Sequence, residues 1–364
     1  MLHRNGVPLL LSLALAASLS ASARPAAAQA SPASRQQVIS ALLAHEHVAS
    51  VSVAQVADGK TVLAEAWGEQ RPGVPATPST LYNIASLSKP LSAEVILRLA
   101  SAGRLSLDEP MAPYWTDPDL AADPRAKLLT PRLALEHQTG FANWRRESGG
   151  KLTFLRDPGS AYGYSGEGYQ YVARFAEKRT GQPFESLAQE LVFAPASMTQ
   201  TAYTPQPWME GNIAQPTDKD GKWLSPQFAT QFVAADLVYT TPGQYASFVE
   251  SLMRGVGETP AIRTLRETVL TDRRAELCVG KLAAICPDQV GFGPGWEVVK
   301  THGKTFLMHT GMDEGVFTIA FFNPEARTGI VLFTNSANGP RVVLPIFKLL
   351  AADPDFVAYL EAQT

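Results

Sequence analysis

Residues 51–56 alternate β-branched and small side chains, an Asp58-Gly59 pair follows, and residues 61–67 continue in the same style. A two-residue Asp-Gly link between such runs is a hairpin signal, because a type I′ turn needs positive φ at both central positions. Strand-like runs return only near the other end, at residues 296–300, 305–309, 316–322 and 330–334. Between them lie helical stretches at 91–102, 169–180, 186–193 and 244–253, separated by Pro- and Gly-rich loops. Helices are also expected at 34–47 and 342–351, with a further turn reaching Leu360. This order predicts an α/β (α+β) protein in which the two ends share one central antiparallel sheet flanked by helices, with an all-helical lobe inserted between them. The expected division is 34–85 with 291–364 for the sheet domain and 86–290 for the helical insert.

The 364 residues are 45% hydrophobic and 18% charged, with a formal charge of −3, which is ample material for a large core and too balanced for a disordered or polyanion-binding chain. No basic run is present, so no nucleic-acid partner is expected. His3 and Arg4 precede an apolar stretch over 7–19, and Ala21-Ser22-Ala23 forms an A-x-A site, with Ala26-Ala27-Ala28 a second candidate. Residues 1–23 therefore read as a cleaved signal peptide, residues 24–33 as a linker, and the location as periplasmic or secreted. The apolar run is shorter than a membrane crossing needs, so no integral span is expected after cleavage. Cys278 and Cys286, eight apart, suit a small structural disulfide in an oxidising compartment, with two free thiols as the alternative. His45 and His47, two apart on a helix, point to different faces, and no metal site or cofactor is expected.

Ser86-Leu87-Ser88-Lys89 opens an apolar helical run with Pro90 near its start. Proline is tolerated where its missing N–H is not needed, so the helix must begin close to Ser86. Residues three apart on one face bring the Lys89 amine to the Ser86 hydroxyl, and the positive helix end disfavours a charged lysine. A second S-x-x-K, Ser148 to Lys151, sits on a double glycine in polar loop sequence and reads as a chance match. Tyr164-Ser165-Gly166 lies in a glycine-rich stretch leading into a helix, and His309-Thr310-Gly311-Met312 ends a predicted strand.

In this order the three segments resemble the S-x-x-K, Y-x-N and K-T-G or H-x-G motifs of the serine β-lactamase and penicillin-binding-protein superfamily. The similarity is greatest to the branch of class C β-lactamases, D-alanyl-D-alanine carboxypeptidases and β-lactamase-fold esterases. It runs from the Val51 hairpin to the final helix and takes in His137-Gln138-Thr139-Gly140-Phe141, Pro195-Ala196-Ser197-Met198, Gly293-Pro294-Gly295-Trp296 and Phe333-Thr334-Asn335.

The resemblance implies a serine hydrolase that needs no cofactor and acts on a small-molecule or peptide substrate. Ser86 would be the acylated nucleophile, Lys89 would help deprotonate it, and Tyr164 would shuttle the proton as base and then as acid. A tyrosine titrates near 10, so that role calls for a nearby cation such as Lys89. His309 stands where lysine is commoner and would make the charge at that position pH-dependent. Backbone N–H groups of Ser86 and Met312 would form the oxyanion hole. Thr310, Gly311 and Ser165 are candidate substrate contacts, as are Asn338 and Arg341, which resemble an Asn-x-x-Arg segment near the substrate carboxylate in class C enzymes.

Gly166 departs from the Y-x-N pattern and removes an amide that binds the substrate's acyl-side carbonyl. Strong β-lactamase activity is therefore not expected, and Asn143 on the facing loop is a candidate substitute. Asp313 and Glu314, if they face the cleft, would repel a substrate carboxylate. A monomer is expected. The alternative is a catalytically weak penicillin-binding or peptidoglycan-fragment-sensing protein of the same fold. An α/β-hydrolase is excluded, because Ile84 and Ser88 occupy the glycine positions of its G-x-S-x-G elbow.

Overall fold

The computed structural model describes residues 31–363. The expected signal peptide 1–23 and both candidate cleavage sites lie outside the described residues. Helix α1 (Pro32–Glu46) starts inside the expected linker: the Ser31 hydroxyl accepts from Ser34 N–H, Pro32 stands in the first turn, and His47 closes the helix at φ 54°. Strands β1 (Ser50–Ala57) and β2 (Lys60–Arg71) form the predicted hairpin. Asp58 and Gly59 both adopt positive φ, 52° and 72°, as a type I′ turn requires.

The remaining strands are β3 (Val74–Pro75), β4 (Tyr82–Asn83), β5 (Tyr239–Thr240), β6 (Thr271–Asp272), β7 (Gln289–Phe292), β8 (Glu297–Thr301), β9 (Lys304–Asp313), β10 (Val316–Asn323) and β11 (Thr328–Thr334). Nine of the eleven strands make one antiparallel sheet in the order β3-β2-β1-β11-β10-β9-β8-β7-β6, while β4 and β5 pair separately. The N-terminal hairpin joins the C-terminal strands through β1 and β11, with Val53 opposite Leu332. The sheet claims more of the chain than the sequence boundary at 291 allowed, because β6 and β7 extend its far edge. Two residues of β6 carry too little pattern to be seen before they pair.

The helices after α1 are α2 (Ser88–Ser101), α3 (Pro131–Leu135), α4 (Gly166–Thr180), α5 (Phe184–Ala188), α6 (Pro242–Arg254), α7 (Pro260–Arg266), α8 (Arg274–Leu277), α9 (Pro340–Leu349) and α10 (Pro354–Gln363). Strand β10 separates two cores: Ala320 and Phe322 face the helical lobe, whereas Ile319 and Phe321 pack with α1, α9 and α10. Because both faces are covered, β10 reads as a nearly continuous apolar run. Helix α2 is buried along most of its length, and its Glu94 and Arg98 are matched internally. Glu94 pairs with Arg98 at 2.9 Å and with Arg266 at 3.4 Å, and Arg266 also binds Glu258. This network fastens the helix that carries the first motif to α7. Cys278 and Cys286 are joined in a disulfide that closes the loop between α8 and β7. Among the described residues no helix is long and apolar enough to cross a membrane.

Candidate active site

Ser86 sits in a 3-10 turn, Ala85–Leu87, that runs directly into α2. Ala85 has φ 46°, a costly conformation for a residue with a Cβ, and is held there from both sides. Its N–H donates to Asn83 Oδ1 at 2.8 Å, and its carbonyl accepts from the Ser88 hydroxyl at 2.7 Å. The turn presents Ser86 to Lys89, whose Nζ donates to Ser86 Oγ at 2.9 Å and to Ala235 O at 3.1 Å. Lys89 is fully buried. Burial lowers its pKa to about 7, against the opposing pull of the nearby Asp236 carboxylate.

Tyr164 is directed at the Ser86 hydroxyl, but its phenol is pushed upward by burial and stays neutral. Lys89 Nζ lies 4.7 Å from the Tyr164 ring centroid, over the ring. The expected lowering of the tyrosine is therefore overturned: burial raises it against the Ser86 hydrogen bond, and Lys89 is the group brought near neutrality.

His309 lies within β9 rather than at its end, and it does not behave as a neutral-range switch. Burial, reinforced by Lys89, lowers its pKa to about 3. Its Nδ1 lies 2.7 Å from Thr310 O, and since a carbonyl only accepts, Nδ1 carries the proton and Nε2 presents a lone pair. Nε2 is buried and has no partner among the described residues.

His137 braces the tyrosine. Its Nδ1 accepts from Ser165 N–H at 3.1 Å, its carbonyl accepts from Gly163 N–H at 2.8 Å, and its ring centroid is 4.3 Å from that of Tyr164.

Gly311 explains how the third motif reaches the nucleophile. A Cβ there would stand 2.2 Å from Ile84 O and 3.1 Å from Leu87 N, so only glycine lets β9 lie against the Ser86 turn. Pairing between β8 and β9 ends at Glu297 opposite Met308, so among the described residues 309–313 have no strand partner on that side. Thr310 and Met312 are exposed there.

Other candidates are engaged elsewhere. Ser165 is buried as the N-cap of α4: its hydroxyl accepts from Gly168 N–H and donates to Ala142 O. Asn338 Nδ2 donates to Lys219 O at 3.0 Å and His47 O at 3.4 Å, and Arg341 reaches Glu46 at 3.9 Å. Asn338 thus ties the start of α9 to His47 and the 219 loop, while the Arg341 side chain is largely exposed. Asn143 Oδ1 accepts from Gly166 N–H at 2.8 Å, so this amide does stand beside the missing asparagine.

Two residues escaped the sequence reading. Asp236 is a half-buried acid within sight of Lys89, Asp313 and Arg146, and its pKa is raised to about 6, chiefly by burial and then by Asp313. A lone acid inside the apolar run 232–239 was the available signal. Trp144 lies over Lys89, with 5.8 Å from its ring centroid to Nζ. Asp313 accepts from Asn83 Nδ2 at 3.2 Å, while Glu314 is exposed.

The D-alanyl-D-alanine-carboxypeptidase/endopeptidase AmpH of Escherichia coli (strain K12) is 24% identical over 306 residues, 77% of this chain and 78% of the relative. Esterase EstB of Burkholderia gladioli is 28% identical over 169 residues, 38% of this chain and 43% of the relative. The octameric penicillin-binding protein homologue from Pyrococcus abyssi superposes with a TM-score of 0.73 at 19% identity, covering 89% of this chain and 79% of that one. Residues 35–353 match the Beta-lactamase family, and the chain belongs to it.

Proposed function

We propose that this protein is a serine hydrolase that cleaves esters or amides through an acyl-enzyme on Ser86. The observation that carries the reading is the 2.9 Å contact between Ser86 Oγ and a fully buried lysine whose pKa is near 7. Such an amine is substantially neutral at physiological pH and can take the serine proton. Ser86 Oγ attacks the substrate carbonyl carbon as its proton passes to Lys89. The oxyanion forms against the N–H groups of Ser86 and Met312, a placement supported by the close seat of Gly311 on the Ser86 turn. The tetrahedral species then expels the leaving group, which takes a proton from the Tyr164 phenol, and Tyr164 is reprotonated through Lys89. Water repeats the sequence on the acyl-enzyme and releases the acid. The open edge of 309–313 suits a substrate laid alongside β9.

Carboxypeptidase and esterase relatives bracket the substrate class. The engagement of Asn338 with Lys219 O and His47 O, together with the acids Asp236 and Asp313 near Lys89, favours an ester or neutral amide over a substrate with a free carboxylate. Gly166 weakens β-lactam turnover. Loss of that amide also favours a second reading, a weak penicillin-binding or peptidoglycan-fragment sensor, which measurable ester turnover would eliminate. Incubation with a serine-directed phosphonate or a fluorescent penicillin, followed by intact-mass analysis, is expected to show one adduct on the wild type. Labelling of Ser86→Ala to the same extent would refute the nucleophile.

Export to the periplasm or medium and action as a monomer complete the proposal. N-terminal sequencing of protein recovered outside the cytoplasm tests the first, with cleavage after Ala23 or Ala28 expected. Light scattering on a sizing column tests the second, and an octamer is the contrary outcome.

A further inference from the structure

Gly166 is glycine for a reason that lies on the facing loop. A Cβ at 166 would stand 2.8 Å from Trp144 Cη2 and 3.0 Å from both Cζ2 and Cζ3, closer than carbon atoms pack. The indole therefore occupies the volume that any side chain at 166 would need. One flank of the ring belongs to the catalytic cleft, where Lys89 lies over it. Trp144 also walls a pocket of about 400 Å³ whose other apolar surfaces come from Trp115, Leu152, Tyr171 and Val233. Ser86, Lys89, Tyr164 and His309 take no part in that pocket, and Trp144 is the lining residue that also meets Lys89.

The pocket offers no unpaired charge. Its acids Asp117 and Glu167 both bind Arg145, at 3.1 Å and 2.8 Å, and its remaining cation, Arg174, binds Glu177 at 2.9 Å. A guest would find aromatic and aliphatic walls with a charge-neutral rim, which suits an uncharged apolar group.

We propose that Trp144 sets the acyl specificity of this cleft: it admits short acyl groups and closes off an apolar pocket that would otherwise take bulky ones. The proposal rests on the Ser86 acyl-enzyme reading and adds the substrate class to it. Acyl transfer itself is unchanged; what differs is which acyl group can sit on Ser86 Oγ with its chain beside the indole.

The test compares kcat/KM for p-nitrophenyl acetate and p-nitrophenyl phenylacetate. The wild type is expected to favour the acetate. Trp144→Ala should raise the phenylacetate-to-acetate ratio at least tenfold, and Trp144→Phe, which keeps a ring, should raise it less. A ratio in Trp144→Ala within twofold of wild type, or below it, overturns the proposal. A second arm reads stability alone. Gly166→Asn should lower Tm strongly in the wild-type background and by much less alongside Trp144→Ala, and an equal loss in both backgrounds would refute the steric pairing. The two readings fail separately: an unchanged ratio in an active enzyme removes only the role of Trp144. Absence of ester turnover together with an unlabelled Ser86 removes the hydrolase reading and this proposal with it.

Discussion

Lys89 Nζ lies 2.9 Å from Ser86 Oγ, and among the described residues no carboxylate comes within ion-pair distance of it. The amine is thus coupled to the nucleophile by a short hydrogen bond and to Asp236 only through longer-range attraction. Burial wins over that attraction, and the lysine is brought close to neutrality.

The pH dependence of ester hydrolysis follows. Neutral Lys89 is the reactive form, so kcat/KM should rise with pH through about 7. Asp236 opposes the lowering, so Asp236→Asn should move this acid limb to lower pH. His309, held near 3, should add no inflection between pH 5 and 8. A pH–rate profile of wild type and Asp236→Asn checks all three, and a limb that moves upward in the variant would contradict the assigned coupling.

Tyr164→Phe removes the proton donor and leaves the ring on His137. Loss of a positioned acid typically costs about 10²–10⁴ in rate. The loss should be larger for alkyl esters and amides, whose leaving groups need the proton, than for p-nitrophenyl esters. Steady-state kinetics on matched ester pairs measure the difference.

Gly311→Ala places a methyl group 2.2 Å from Ile84 O. Backbone cannot yield cheaply there, so stability should fall by about 1–3 kcal/mol. Because the displaced segment carries Ser86, kcat should drop more than KM changes. Urea unfolding with parallel kinetics separates the two effects.

Glu94→Ala removes the carboxylate partner of Arg98 and leaves Arg266 to Glu258 in the buried network beneath α2. Breaking a buried ion network from one side costs about 3–5 kcal/mol. Equilibrium urea denaturation should show the loss as a shifted midpoint, with little change in slope.

Local chemistry made much of this protein legible. The Asp58-Gly59 turn, the alternation along β1 and the proline at the start of α2 each act over a few residues, so the hairpin and the Ser86–Lys89 spacing could be read directly. The order of the three motifs was equally visible, because it is a property of the chain rather than of its folding. Burial was not. Whether Tyr164 or Lys89 shifts toward neutrality, and whether His309 titrates at all, depends on how much water the lobe and the sheet jointly exclude. Asp236 acquires its role only because the 232–239 segment folds back beside α2, where Lys89 donates to Ala235 O. Gly166 shows the division most plainly: the sequence displays the missing asparagine, but only tertiary packing reveals that Trp144, twenty-two positions earlier, fills its place. Contacts between distant stretches are decided by packing, and packing has no short-range signature.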